Sequence, residues 1–233
     1  MILSVPSWVI PGSYRENLQF LEDKPAIQGV ELLFFLYDGE VKKLLNAEWE
    51  AVTRFSQRFT ITAHLPNRIL PEHEELVERL FPWTRHFIVH PYPDSETDRQ
   101  KKLLETWTAR YGGHANPFLI ENTYPGWLES LLAQLPGQTR LCMDTGHLLL
   151  AGNSPAAFFK QYQDRLAEIH LHDVDWEASD GRLLDHRPLN PKASWLQALA
   201  PELKGFTGVV NLEVFSWEET KASLAALQTL GAL

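Results

Sequence analysis

The chain has 233 residues, 44% hydrophobic and 22% charged, the balance of an ordinary globular protein with room for one large core. Its formal net charge of -9 argues against nucleic acid as the main partner, because phosphate backbones are bound chiefly through Lys and Arg. The opening residues, Met1 to Pro6, lack the basic region and long apolar stretch of a signal peptide, and no apolar run reaches membrane-spanning length. A cytoplasmic location without membrane association is therefore expected, with homo-oligomerisation left open.

Short apolar runs alternate with longer amphipathic stretches along the whole chain, the pattern of parallel strands and crossover helices. The spacing predicts a strand over 3–10 and a helix over 14–21, then a strand over 29–35 and a helix over 41–55. Strand 59–64 precedes helix 72–80, strand 86–90 precedes helix 98–111, and strand 118–121 precedes helix 126–135. Strand 140–144 contains the lone Cys142, read as a small buried hydrophobe, and leads to helix 155–165. Strand 167–172 is followed by the longest irregular stretch, 173–192, then by helix 193–200, strand 209–214 and helix 217–230. Eight βα units without a composition break point to one closed (β/α)8 TIM barrel over residues 1–233, with a doubly wound open sheet as the alternative. Its interior is expected to be filled by layered apolar side chains.

No Gly-rich phosphate fingerprint follows the first strand. Instead, polar residues costly to bury stand at successive strand ends, where a barrel builds its active site: His64, His90, Glu121, Asp144, His170 and Glu213. One such residue alone would be read as a satisfied core histidine or carboxylate, and a purely hydrogen-bonded network remains the bland alternative. Six converging on one rim, mixing imidazole with carboxylate, form the ligand set of a divalent ion: zinc first, then manganese or iron.

His147, three residues past Asp144 and after a glycine, suits a second ligand or a substrate contact. His170 and His172, at i and i+2, face one side, so one serves as ligand and the other orients substrate. His186 can fold back over the site from the long loop, with Asp185, Arg187 and Arg182 nearby for substrate. His73, His86 and His114 read as structural or solvated, and the acidic run 72–78 as a wet helix face.

These segments resemble, in order and over essentially the whole chain, the xylose-isomerase-like barrels, which include sugar isomerases and epimerases and the endonuclease IV-type phosphodiesterases. The resemblance implies a four-ligand metal site of Glu121, Asp144, a strand-seven histidine and Glu213; Ile169-His170-Leu171-His172-Asp173 is similar to the pattern His-Leu-x-Asp, which favours His170. It also matches His64, His90, His147 and His186 to the extra ligands of the multinuclear, endonuclease-type branch. That branch has Asp-x-His in its seventh loop, whereas here Asp185 directly precedes His186.

Three functions follow as expectations. The first is metal-assisted hydrolysis of a small-molecule phosphodiester, with Glu121 and Glu213 as catalytic carboxylates. Asp185-His186-Arg187-Pro188-Leu189 and Asn211-Leu212-Glu213-Val214-Phe215 are similar to segments of the cobamide-remodelling phosphodiesterases, which makes a cobamide nucleotide loop the first candidate. The second is a sugar or sugar-phosphate isomerase or epimerase using one ion, with the same two carboxylates moving a proton. The third is a barrel kept as a binding scaffold.

Overall fold

The computed structural model describes residues 1–112, 116–124, 126–175 and 184–233. In chain order its elements are β1 (Ile2–Pro6), α1 (Tyr14–Leu21), β2 (Gly29–Leu33), α2 (Gly39–Phe55), β3 (Thr60–His64), α3 (Glu74–Leu80), β4 (Thr84–Val89) and α4 (Thr97–Tyr111). They continue with β5 (Phe118–Glu121), α5 (Trp127–Leu132), β6 (Leu141–Asp144), α6 (Thr145–Leu150), α7 (Pro155–Tyr162) and β7 (Leu166–His170). The last are β8 (Asp173–Asp175), β9 (Leu184–Arg187), α8 (Ser194–Gly205), β10 (Val209–Asn211) and α9 (Trp217–Thr229).

Eight parallel strands close in the order β1-β10-β7-β6-β5-β4-β3-β2, which removes the open-sheet alternative. The register sets Ser4 between Gly29 and Asn211, and Asp144 beside His170. Side-chain caps fix several helix starts: Ser13 for α1, Asp38 for α2, Ser154 for α7 and Ser216 for α9. No helix among the described residues is long and apolar enough to cross a membrane.

Three differences from the sequence expectation have local causes. β1 stops at Pro6 because the backbone beyond it turns to Asn17, whose Oδ1 accepts from the N–H groups of Val9 and Ile10 at 2.8 and 3.0 Å. A short helix, α6, follows β6 directly, its first turn capped by Asp144 Oδ1 accepting from His147 N at 2.6 Å. The stretch expected to be irregular contains the antiparallel pair β8 and β9, in which Asp173 faces Arg187 and Asp175 faces Leu184.

The main apolar core lies between strands and helices, where Val5, Val30, Leu32, Phe87, Ile120, Met143 and Val210 meet Leu18, Leu45, Val52, Leu76, Trp107 and Leu199. The lumen corrects the expectation of apolar layers. Thr62 Oγ1 on β3 donates to Glu168 Oε1 on β7 at 3.1 Å, and His86 Nδ1 on β4 lies 3.2 Å from Glu168 Oε2. Neither β3 nor β4 is a neighbour of β7, so these contacts cross the barrel interior. A small separate cluster of Ile88, Leu119, Cys142 and Ala167 adds apolar filling near them. Buried polar groups endure when each finds a partner, and this set is tied across the lumen strand to strand.

His86 is thus structural, as is His73, whose Nδ1 accepts from Leu70 N at 3.1 Å. Glu72, Glu75 and Glu78 are exposed and Cys142 is buried, as expected; His114 lies outside the described residues.

Glu168→Ala would strand Thr62 and His86 in the lumen, and breaking a buried pair of this kind costs about 3–5 kcal/mol. The urea midpoint of Glu168→Ala should fall steeply while Glu168→Gln, which keeps an acceptor, falls less. Equal midpoints for wild type and Glu168→Ala would show that the polar lumen adds nothing to stability.

Candidate metal centre

The rim residues expected from sequence converge at the C-terminal mouth of the barrel, around a cavity of about 400 Å³. His64, His90, Glu121, Asp144, His147, His186 and Glu213 line it. The middle of the arrangement is Glu121, at the end of β5 and 1% exposed. Its two oxygens face different partners. Oε2 lies 2.7 Å from His90 Nε2 and 3.4 Å from His64 Nε2, and those two nitrogens are 3.1 Å apart. His64 Nδ1 donates to Leu65 O at 2.9 Å, which leaves Nε2 without a proton and free to hold an ion. Neighbouring ligands on one tetrahedral ion with bonds of about 2.1 Å sit roughly 3.4 Å apart, close to the spacing seen here.

Oε1 of Glu121 faces the other way, 2.8 Å from His170 Nδ1. The same nitrogen is 3.2 Å from Glu213 Oε2. His170 Nε2 lies 2.9 Å from Glu31 Oε2, whose other oxygen accepts from Asn211 Nδ2 at 3.1 Å. A carboxylate behind an imidazole fixes its tautomer and turns the opposite nitrogen toward an ion. Glu121, Asp144, His170 and Glu213 offer one ligand atom each, all within 4.8 Å of one another. Asp144 is held by Asn122, which accepts from its N–H at 2.8 Å and donates to its carbonyl at 2.9 Å.

The two histidines that the sequence leaves open have different partners. His172 Nδ1 accepts from His186 N at 2.9 Å, so its proton sits on Nε2, 3.1 Å from Asp144 Oδ2. His172 thus orients Asp144, while His170 turns Nδ1 toward the carboxylates of Glu121 and Glu213; each ring belongs to a cluster able to hold an ion, His170 with Glu121, Asp144 and Glu213, and His172 with His186 and Glu213. His172 is 1% exposed and is not among the residues lining the cavity. Thr145 Oγ1 accepts from His172 N at 3.0 Å, and a Cβ on Gly146 would come within 2.0 Å of the His172 ring, so this position admits only glycine without displacing it.

His186 stacks on that ring at 4.4 Å and carries a φ of 52°, a left-handed backbone rare outside glycine. Asp185 Oδ1 is 3.0 Å from its Nδ1, leaving Nε2 aimed into the mouth, 3.7 Å from Glu213 Oε2. Asp185 therefore stands behind His186, and it is not among the residues lining the cavity. His147 lies at the edge, its Nε2 4.0 Å from Asp144 Oδ2. Arg187 does not reach the cavity: its guanidinium lies 3.5 Å from Glu219 at the surface. Arg182 lies outside the described residues. Among the described residues no Lys or Arg lines the mouth. Glu31, Asn122, Thr145 and Asn211 are site residues that the sequence reading misses; a lone Glu within the apolar run Gly29-Val30-Glu31-Leu32-Leu33 is the available signal for the first.

The donor set fits a cation. Glu213 Oε2 is buried and accepts no well-aligned hydrogen bond, though three ring nitrogens lie within 3.2–3.8 Å of it. Burial would raise the pKa of Glu121 and Glu213, but the surrounding imidazoles outweigh it and hold both well below the usual carboxylate range. Burial likewise opposes protonation of His186, yet Asp185 and Glu213 hold its pKa up at about 11. His170 is raised in the same way, against its burial, by Cys142, Glu31, Glu213 and Glu121. Protons on these two rings thus balance the carboxylates, and an ion can replace them.

Zinc binding should therefore release protons at pH 7.5, since the raised pKa values keep His170 and His186 protonated without an ion while Glu121 and Glu213 are already ionised. Calorimetric titration in buffers of different ionisation enthalpy should report a net release of about one to two protons per chain. A binding heat independent of the buffer would contradict this charge balance.

No family model matches the chain. A stretch of 51 residues, 22% of this chain, is 43% identical to inosose dehydratase of Lacticaseibacillus casei and spans 17% of that protein's length. Solved structures align over nearly the whole chain. The probable 3-DHS dehydratase AsbF of Bacillus anthracis, involved in petrobactin synthesis, has a TM-score of 0.71 at 15% identity, covering 99% of both chains. Endonuclease IV of Thermus thermophilus has a TM-score of 0.64 at 18% identity, covering 99% of this chain and 98% of that one. An L-ribulose 3-epimerase gives 0.64 at 12% identity, with 98% and 95% covered. The fold is that of the xylose-isomerase-like barrels.

Proposed function

We propose that the protein is a divalent-metal-dependent hydrolase of a small-molecule phosphodiester. One observation carries the reading: the two oxygens of Glu121 face two separate donor sets, with His64 and His90 on one side and His170, Asp144 and Glu213 on the other. A carboxylate so placed suits two neighbouring ions, whereas proton transfer at carbon needs one. Zinc, or manganese or iron, would supply Lewis-acid polarisation of the ester and an acidified attacking water. The chain's own groups do the rest. Glu31 and Leu65 O fix the tautomers of His170 and His64, His172 and Asn122 hold Asp144, and Asp185 holds His186. His147, 27% exposed at the edge, and His186 are placed to touch substrate or extend the ligand set.

The absence of Lys and Arg from the described cavity lining supports a small anionic substrate neutralised by metal over a nucleic-acid backbone. Similarity of the segments around His186 and Glu213 to the cobamide-remodelling phosphodiesterases keeps a cobamide nucleotide loop as the first candidate. A second reading rests on Glu121 and Glu213 both facing His170 Nδ1, at 2.8 and 3.2 Å: two carboxylates about one ion also suit a sugar isomerase, epimerase or dehydratase.

Zinc-loaded protein should cleave adenosylcobalamin at its nucleotide loop or hydrolyse bis(p-nitrophenyl) phosphate, lose that activity to a chelator, and leave abasic duplex DNA uncut. Interconversion of ketoses, or loss of water from an inosose, with no ester cleavage would replace the hydrolase by the second reading.

A further inference from the structure

Beside the metal centre lies a second cavity, of about 380 Å³, between β1, β2 and the start of α2. Two aromatic rings connect it with the first. Phe35 borders both cavities and packs edge-on against His64 at 4.6 Å. Phe215 lines the second cavity and packs against His186 at 4.9 Å. The two rings touching candidate ligand histidines are therefore also a wall of the neighbouring groove.

The groove is apolar by construction. Trp8, Leu36 and Leu44 on its edge are 53%, 73% and 38% exposed, a concentration of large apolar side chains that folding alone does not reward. Its side-chain polar atoms are occupied within the protein. Ser7 Oγ accepts from Leu33 N at 3.1 Å, Tyr14 Oη donates to Leu33 O at 2.9 Å, and Ser13 Oγ caps α1. What remains on offer is a hydrophobic surface with an indole at its rim, next to the mouth where the ester would react and sharing Phe35 with it.

We infer that this groove is a substrate subsite that receives a large, flat, apolar part of the same molecule whose charged end lies at the metal centre. The inference rests on the proposed reading that substrate reacts at that centre, and it narrows the substrate class to phosphate esters carrying a bulky apolar group. The adjacency of the two cavities, with Phe35 in both linings and Phe215 packed on His186 of the first, argues for one ligand spanning both. Small sugar phosphates would fill the first cavity and leave the second bare.

The test is equilibrium binding of 1-naphthyl phosphate and methyl phosphate to zinc-loaded protein, for wild type, Leu36→Asp and Leu44→Asp. Both leucines are surface residues, so the variants should fold, which circular dichroism checks. The naphthyl ester should bind about tenfold or more tightly than the methyl ester, and the ratio should fall toward one in either variant. Equal binding in wild type, including no detectable binding of either, or a preference that survives both substitutions, would overturn the subsite. Sedimentation run alongside covers the other occupant: a dimer that Leu36→Asp splits into monomers would make the groove an interface between copies and remove the substrate assignment. Turnover of esters against ketoses is read separately, so a wrong reaction class and a wrong subsite give different results.

Discussion

Glu121 sits at the end of β5 with almost no exposure, its two oxygens turned toward histidines on opposite sides of the barrel mouth. An ionised carboxylate in such a place costs several kcal/mol unless positive charge surrounds it. The mouth answers that demand from several strands at once, with His64 from β3, His90 just past β4 and His170 from β7. Glu213 and Asp144 add further negative charge on the far side, so imidazole protons alone make a crowded balance and a divalent cation a better one. The closed barrel matters because it brings residues 26 to 139 positions apart in sequence to one point.

The layer beneath the mouth serves the same end. Glu31 lies under His170, with burial raising its pKa to about 8 against the opposing pull of His170, and Asn211 ties it to β10. Deeper still, Glu168 joins β7 to Thr62 and His86. A lumen packed only with leucine and valine would support the strands equally well but would leave the ligand rings free to turn. The polar column trades some apolar filling for fixed ring orientations, and its rigidity is passed upward to the candidate ligands at the mouth.

Much of this is legible in the sequence because chemistry and strand ends coincide. His64, Glu121, Asp144 and His170 each close an apolar run, and the fold carries each run to the same rim. What stays hidden depends on pairing across long separations or on very short elements. Glu31 looks like an isolated charge in a strand until its partner, 139 residues later, is placed beside it. The i, i+2 spacing of His170 and His172 suggests equivalent rings, but β7 ends at His170 and the chain then turns to Thr145, so His172 meets Asp144 from the side. The hairpin of β8 and β9, three and four residues long, is too brief for any periodicity to mark, yet it delivers His186 to the mouth. Arg187, expected from sequence to grip substrate, is sent by its alternation on β9 toward Glu219 on α9 instead.

In the proposed enzyme, Glu121 would bridge two ion positions. X-ray diffraction from zinc-loaded crystals, recorded above the zinc absorption edge, reads this directly. Two anomalous peaks are predicted, one bonded to Glu121 Oε2 with His64 and His90, the other to Glu121 Oε1 with His170, Asp144 and Glu213, each bond about 2.0–2.2 Å. A single peak under saturating zinc would contradict the two-ion reading and leave a mononuclear enzyme of the isomerase or dehydratase kind.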